Sequence, residues 1–233
     1  MNYNLFTSNK EIISLNKSQS LIGHLNKINS FGKIVLDQIN NGVYNFLNTK
    51  TWGTVLDIGA NVGLFSFFIS NKAEKIYAVE PSQEHYVVLT SAIEELNIKN
   101  VNTFNLAIGT FDGETTFFLN YENSTMNSLL NTYEKTSYKQ KTNVNTILNF
   151  ILSNNLDCVD LVKMDIEGAE MDIVQHSSFK EATKYINNIY IEAHDFQNNG
   201  KFLKENSDII ENILKDCGYK TTRIMVDGIF GEK

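Results

Sequence analysis

The sequence predicts an α/β fold: a doubly wound, mostly parallel sheet with an inserted β-hairpin and a helical N-terminal extension. Three observations carry that expectation. Short β-branched runs alternate with amphipathic helical segments along most of the 233 residues, the rhythm of parallel βαβ units. One run, Val55-Leu56-Asp57-Ile58, leads straight into Gly59-Ala60-Asn61-Val62-Gly63 and a dense apolar segment, Leu64 to Ile69. The next run, Lys75 to Glu80, ends on an acid and is followed by Pro81, the one proline of the chain.

Taken in order, residues 1–50 mix short apolar pairs with Asn, Ser and Lys and read as an extension separate from a main domain over 51–233. Within it, Val35, Ile39, Val43 and Phe46 fall near one face of a helix from about Gly32 to Leu47. That helix is either packed on the sheet or a lid over a ligand. After the glycine turn, Gly63 to Asn71 reads as a buried helix. Ser82 is a candidate N-cap, with Glu84 in the first turn and an apolar stripe of Tyr86, Leu89, Ile93 and Leu96 behind it. Val101 to Ile108 reads as a third strand. Asp112-Gly113 is a turn signal and Thr115 to Leu119 returns as the inserted hairpin. Asn120 to Lys141 reads as a long polar loop, and Val144 to Leu152 as a short helix. Val159 to Asp165 is a fourth strand running into Ile166-Glu167-Gly168-Ala169-Glu170, with a helix starting near Glu170. Asn188 to Glu192 is a fifth strand, followed by Ala193-His194-Asp195. Asn206 or Ser207 caps a helix closed by Gly218, and Tyr219 to Val226 is a last strand. Ile229 to Lys233 looks too short for a further full strand, which leaves one sheet edge to be closed by the N-terminal segment or by a second copy of the chain.

Composition bounds the function. The chain is 42% apolar and 20% charged, with net charge −7, so a broad nucleic-acid footprint is not expected. Cys158 and Cys217 show no metal or redox spacing and read as reduced thiols. No apolar run approaches the roughly 18 residues of a membrane span, and a cytoplasmic protein is expected.

The glycine turn discriminates between cofactors. A dinucleotide site sets two glycines one residue apart so that bare backbone meets pyrophosphate. Here Asn61 stands where that second glycine belongs. A cofactor with an amino-acid moiety and no phosphate is the better match. Glu80, at the end of the second strand, suits ribose hydroxyls and repels a 2′-phosphate.

Asp57-x-Gly59-x-Asn61-x-Gly63 with Glu80-Pro81 resembles the class I S-adenosylmethionine-dependent methyltransferases, which have a Rossmann-like sheet. Lys163-Met164-Asp165-Ile166-Glu167-Gly168-Ala169-Glu170, Leu106-Ala107-Ile108-Gly109 and Ile191-Glu192-Ala193-His194 narrow the resemblance to the FkbM family of O-methyltransferases. The likeness covers about Val55 to Asp195. It implies that Gly59, Ala60, Asn61 and Gly63 line the methionine end of S-adenosylmethionine. Asp57 would bond the cofactor through water or simply fix the turn. Glu80 would hold the ribose, and Pro81, Ala107 and Ile108 would flank the adenine.

Methyl transfer to oxygen needs positioning and a base for the acceptor proton. The candidate groups at the strand ends are Asp165, Glu167, Glu192, His194 and Asp195. His194 is the preferred base because an unperturbed imidazole is partly neutral near physiological pH. Asp165 also belongs to the cofactor side, next to the expected sulfonium. A lesser alternative is an oxygen-rich divalent-metal site from Asp165 with Glu192 or Asp195. Glu170 is explained by the helix dipole. With a single proline, the polar-Pro-Pro-aromatic arrangement of base amino-group methylation is absent. The expected activity is therefore O-methylation of a small-molecule, sugar, glycolipid or polyketide-like hydroxyl. The competing readings are a non-catalytic cofactor-binding or partner-recognition module, and RNA methylation.

Overall fold

A computed structural model describes residues 4–6, 12–14, 44, 47, 50–120, 127–129, 137–194, 197–198, 201–202, 206–224 and 227–233. Strands β1 (Asn4–Phe6) and β2 (Ile12–Ser14) pair antiparallel, where a loose or helical segment was expected. Most of the helix expected over 32–47, and its reading as a lid, lie outside the described residues. Tyr44 and Leu47 are described, and both are buried against the domain core, with the Tyr44 ring 5.3 Å from Phe65 and 5.9 Å from Tyr190.

The core begins at β3 (Trp52–Ile58), followed by α1 (Leu64–Ile69), β4 (Ala73–Val79), α2 (Gln83–Glu95) and β5 (Val101–Phe104). Ser82 caps α2 as expected, its side chain accepting the His85 N–H. The third strand differs from expectation. It stops at Phe104 because Asn105 turns back, its Nδ2 donating to the Glu80 and Pro81 carbonyls at 2.9 and 3.2 Å. The chain then restarts as β6 (Ala107–Gly109) in a second, three-stranded sheet.

That small sheet is completed by β7 (Gly113–Asn120) and β8 (Ser137–Thr146), which pair antiparallel over eight residues. The hairpin partner of β7 therefore comes from the stretch read as loop and helix start. Helix α3 (Ile147–Ser153) begins only after Thr146, whose hydroxyl caps it. In β8 the buried positions are Thr142, Val144 and Thr146. Two of the three are threonines, so the period-two pattern is invisible to a search for apolar alternation.

The rest of the chain runs β9 (Leu161–Met164), α4 (Glu170–Gln175), α5 (Ser177–Ala182), β10 (Asn188–Glu192), β11 (Gln197–Asn198), β12 (Lys201–Phe202), α6 (Asn206–Asp216), β13 (Lys220–Ile224) and β14 (Gly228–Glu232). The main sheet has seven strands in the order β13-β14-β10-β9-β3-β4-β5, with β14 antiparallel to both neighbours and the others parallel. The expectation of an incomplete edge is thus corrected. Five residues suffice for β14 because it bonds on both sides, and Gly228 permits the tight return from β13: a Cβ there would lie 2.4 Å from the Ile224 carbonyl oxygen.

Alternation along the strands defines the two faces. Leu56, Ile58, Tyr77, Val79, Val162, Met164, Ile189 and Ile191 face the layer of α3 to α6. Val55, Ile76, Leu161 and Tyr190 face α1 with Tyr44 and Leu47. Each fully buried aliphatic side chain contributes about 1.5–3 kcal/mol. Strand order reverses between β3 and β9, since the chain moves outward from β3 to β5 on one side and later from β9 to β10 on the other. In such sheets ligands bind at that switch, outside the carboxyl ends of the strands. Among the described residues no helix is long and apolar enough to cross a membrane.

Candidate active site

The glycine turn sits at the carboxyl end of β3, at the switch point. Gly59, Asn61 and Gly63 have φ of 77°, 52° and 93°, left-handed backbone that glycine tolerates and asparagine adopts more readily than most. Each backbone N–H from residue 59 to 63 is engaged inside the protein. Gly59 and Ala60 donate to the Val79 carbonyl, Asn61 to Glu80 Oε2 at 2.8 Å, Val62 to Asn61 Oδ1, and Gly63 to the Ala60 carbonyl. A phosphate-binding turn needs its N–H groups pointing at the ligand. This one has committed them elsewhere.

Glu80 is part of the turn. It is buried, and its two oxygens accept from Asn61 and Ser82 N–H at 2.8 and 2.7 Å. Burial pushes its pKa up to about 7 against those two hydrogen bonds. Each oxygen keeps a second lone pair for a hydroxyl donor.

Beneath the turn, the register of β3 on β9 sets Asp57 opposite Lys163 on the α1 face of the sheet. Asp57 is fully buried. Ser66 of α1 donates to its Oδ2 at 2.6 Å and Lys163 Nζ lies 3.7 Å from its Oδ1. Burial raises the Asp57 pKa, and Lys163 and Ser66 offset this only in part. Lys163 Nζ also donates to the Gly59 carbonyl at 3.2 Å and meets Asp165 Oδ2 at 3.1 Å. Burial opposes its charge, yet Asp165, Asp57 and Glu192 outweigh burial and hold the ammonium protonated. Lys163 therefore ties the turn to the end of β9. It opens the motif quoted above but was given no role there, since its place opposite Asp57 is visible only once strand register is known.

On the other side of the turn lies an open recess lined by Ile58, Gly59, Val79, Pro81, Ala107, Ile108, Phe117, Leu129, Ile166 and Ala169. Gly59, Pro81, Ala107 and Ile108 were expected to share a site. Phe117 and Leu129 were not, because they arrive on the inserted segment. The insert is pinned to the recess by Gln140 of β8, whose Nε2 donates to the Pro81 carbonyl at 2.7 Å and whose Oε1 accepts the Gln83 N–H at 3.1 Å.

The ends of β9 and β10 bring Asp165, Glu167, Glu170, Glu192 and His194 together. His194 Nδ1 donates to Glu170 Oε1 at 3.0 Å, and its Nε2 lies 3.8 Å from Asp165 Oδ1 and 3.7 Å from Glu167 Oε2. Burial alone would lower the His194 pKa. The Glu170 hydrogen bond and the charges of Glu170, Asp165 and Glu167 instead raise it to about 11. Those carboxylates favour the protonated ring, whereas the expectation of His194 as base was argued from an unperturbed imidazole. Burial raises Glu167 to about 8, with Asp165, Glu170 and Glu192 adding to it and His194 opposing. Glu192 rises to about 7, chiefly through Asp165 and then burial. Asp165 is lowered, because Lys163 and His194 outweigh its burial.

Asp165, Glu170 and His194 place donor atoms within 4.8 Å of one another, but Asp195 of the expected metal set lies outside the described residues. Both Glu170 oxygens already accept backbone N–H groups, from Ile166 and Gly168, and His194 Nδ1 is on Glu170. A divalent ion would have to break these bonds, so the donors are arranged as an ion-pair network and fit a metal poorly.

A glycine turn after the first strand of the main sheet, an acid after the second and an antiparallel strand next to one edge define the class I methyltransferase fold. The chain belongs to the FkbM family, whose methyltransferase domain matches residues 57–221. It is 25% identical over 161 residues to Methyltransferase 1 of Beauveria bassiana (strain ARSEF 2860), covering 60% of this chain and 64% of the relative. It thus spans less than two thirds of that relative. A methyltransferase FkbM from Methylobacillus flagellatus KT superposes with TM-score 0.51 and 15% identity over 82% of this chain and 47% of that one. An rRNA methylase from Streptococcus thermophilus, at TM-score 0.47 and 10% identity over 81% of this chain and 92% of that one, is too distant to bear on the acceptor.

Proposed function

We propose that the chain binds S-adenosylmethionine across the glycine turn and methylates a hydroxyl of a small-molecule, sugar, glycolipid or polyketide-like acceptor in the cytoplasm. The observation that carries this reading is the commitment of every turn N–H within the protein beside a rim of carboxylates. Such a site rejects phosphate and favours a ligand bearing positive charge. The cofactor, when bound, supplies an electrophilic methyl group on a sulfonium.

Gly59, Ala60, Asn61 and Gly63 would take its methionine end and the free lone pairs of Glu80 its ribose. The recess bounded by Pro81, Ala107 and Ile108 would take the adenine. Asp57, enclosed with Ser66 and Lys163, would support the turn from below. Asp165 would complement the positive sulfur. Glu167 and Glu192, raised towards working pH by burial and their neighbours, are better matched to removing the acceptor proton than His194, which its carboxylate partners hold towards the charged form. His194 would then steady the ionised carboxylates and the alkoxide character developing on the acceptor.

Gln140→Ala removes two hydrogen bonds from the Pro81–Gln83 segment. At about 1 kcal/mol of net contribution it should weaken S-adenosylhomocysteine binding roughly five-fold, measured by calorimetry, while leaving the fold intact. The function itself is tested by incubating the protein with labelled S-adenosylmethionine and fractionated whole-cell extract. Label in a base-stable small molecule or glycan is the expected result. Label in RNA, or cofactor binding without transfer to any fraction, would replace this reading with the RNA or binding-module alternative.

A further inference from the structure

Glu170 is 1% exposed, and its carboxylate joins the turn after β9 to His194 after β10. Its Oε1 accepts the Ile166 N–H and its Oε2 the Gly168 N–H, both at 2.9 Å. The turn they hold contains Glu167 at φ 57° and Gly168 at φ 106°. A glutamate in left-handed backbone is strained by about 1–3 kcal/mol and persists only where its surroundings enforce it. The same Oε1 receives His194 Nδ1 at 3.0 Å, which leaves Nε2 facing Asp165 and Glu167. Helix-dipole stabilisation explains none of these bonds.

We propose that Glu170 is the positioning residue of this site: it enforces the turn that presents Glu167 and fixes His194 with Nε2 directed at the reacting carboxylates. This rests on the methyltransferase reading above. The charged groups facing the His194 ring are Glu170 on α4, Asp165 and Glu167 on the turn, and Glu192 on β10. Of these, Glu170 alone makes a hydrogen bond of 3.0 Å to the ring.

The test is nuclear magnetic resonance of the His194 ring, assigned with His194→Gln, in the wild type and in Glu170→Gln. Removing a directly bonded carboxylate should lower the ring's titration midpoint by about one to three pH units. Asp165→Asn, whose carboxylate lies farther from the ring, should lower it less. An unchanged midpoint in Glu170→Gln, or a larger shift in Asp165→Asn, overturns the proposal. Should Glu170→Gln not fold, the wild type decides: an imidazolium with a strongly deshielded Nδ1–H at pH 8 supports the assignment, and a neutral ring contradicts it. Calorimetry with S-adenosylhomocysteine separates the two readings. Absence of binding to the wild type would sink the methyltransferase reading, whereas the ring titration speaks to Glu170 alone.

Discussion

Gly59→Ala should abolish binding of S-adenosylmethionine and S-adenosylhomocysteine and lower the thermal midpoint by roughly 10 °C. A Cβ at this position would lie 1.9 Å from the Asp165 carbonyl oxygen and 3.0 Å from its carbonyl carbon. Both obstacles are backbone at the end of a central strand, so no side chain can swing aside. The φ of 77° adds a conformational cost that only glycine avoids. Strain and overpacking together amount to about 4 kcal/mol, which is the stated shift for a chain of this size. Gly218→Ala is the control. Its φ of 89° carries the same backbone penalty, but nothing lies within 4 Å of the added methyl group. That variant should lose about 1 kcal/mol and bind the cofactor as the wild type does. Equal behaviour of the two variants would mean that the tight approach of β3 to β9 does not matter for the ligand.

Glu167→Gln should lower kcat by about 10² to 10⁴-fold on an acceptor found by labelled transfer, with S-adenosylhomocysteine affinity unchanged. Glu170 continues to hold the turn in this variant, so the substitution removes the proposed base without removing its support. The pH dependence carries a sign. Burial and the neighbouring Asp165, Glu170 and Glu192 raise the Glu167 pKa to about 8, and the carboxylate must be ionised to accept a proton. The rate should therefore fall as pH drops through about 8. His194 is the cation that opposes this rise, so His194→Gln should move the acid limb to higher pH. A limb that moves to lower pH, or one that survives in Glu167→Gln, would assign the proton to another group.

The glycine turn was more legible than the carboxylate cluster beside it, for a physical reason. Gly59, Asn61, Gly63 and Glu80 are brought together by local backbone geometry, which spacing along the chain records. Lys163 acts through cross-strand register opposite Asp57, and no local pattern records that. The surroundings of His194 include Glu170, 24 positions earlier in the chain, so the carboxylates that push its pKa up could not be seen from the residues next to it. In the fold, the β-branched runs of the main sheet other than the split third strand were found close to where expected; Asn188–Glu192 matches to the residue. Two of the strands that were not expected show why they were missed. In β8 threonines occupy buried positions, and β14 is stabilised by partners on both sides more than by its own short sequence.

The central claim is that the turn from Asp57 to Gly63 holds S-adenosylmethionine. Thermal unfolding of the wild-type protein against increasing S-adenosylhomocysteine tests it most directly, because a ligand that binds the native state must stabilise it. At a hundred times Kd the gain is about 2.7 kcal/mol, a rise of roughly 5–10 °C for a domain of this size. The predicted result is a midpoint that climbs with ligand concentration and does not respond to NAD. A flat midpoint at millimolar S-adenosylhomocysteine, or a rise with NAD in its place, would contradict the account.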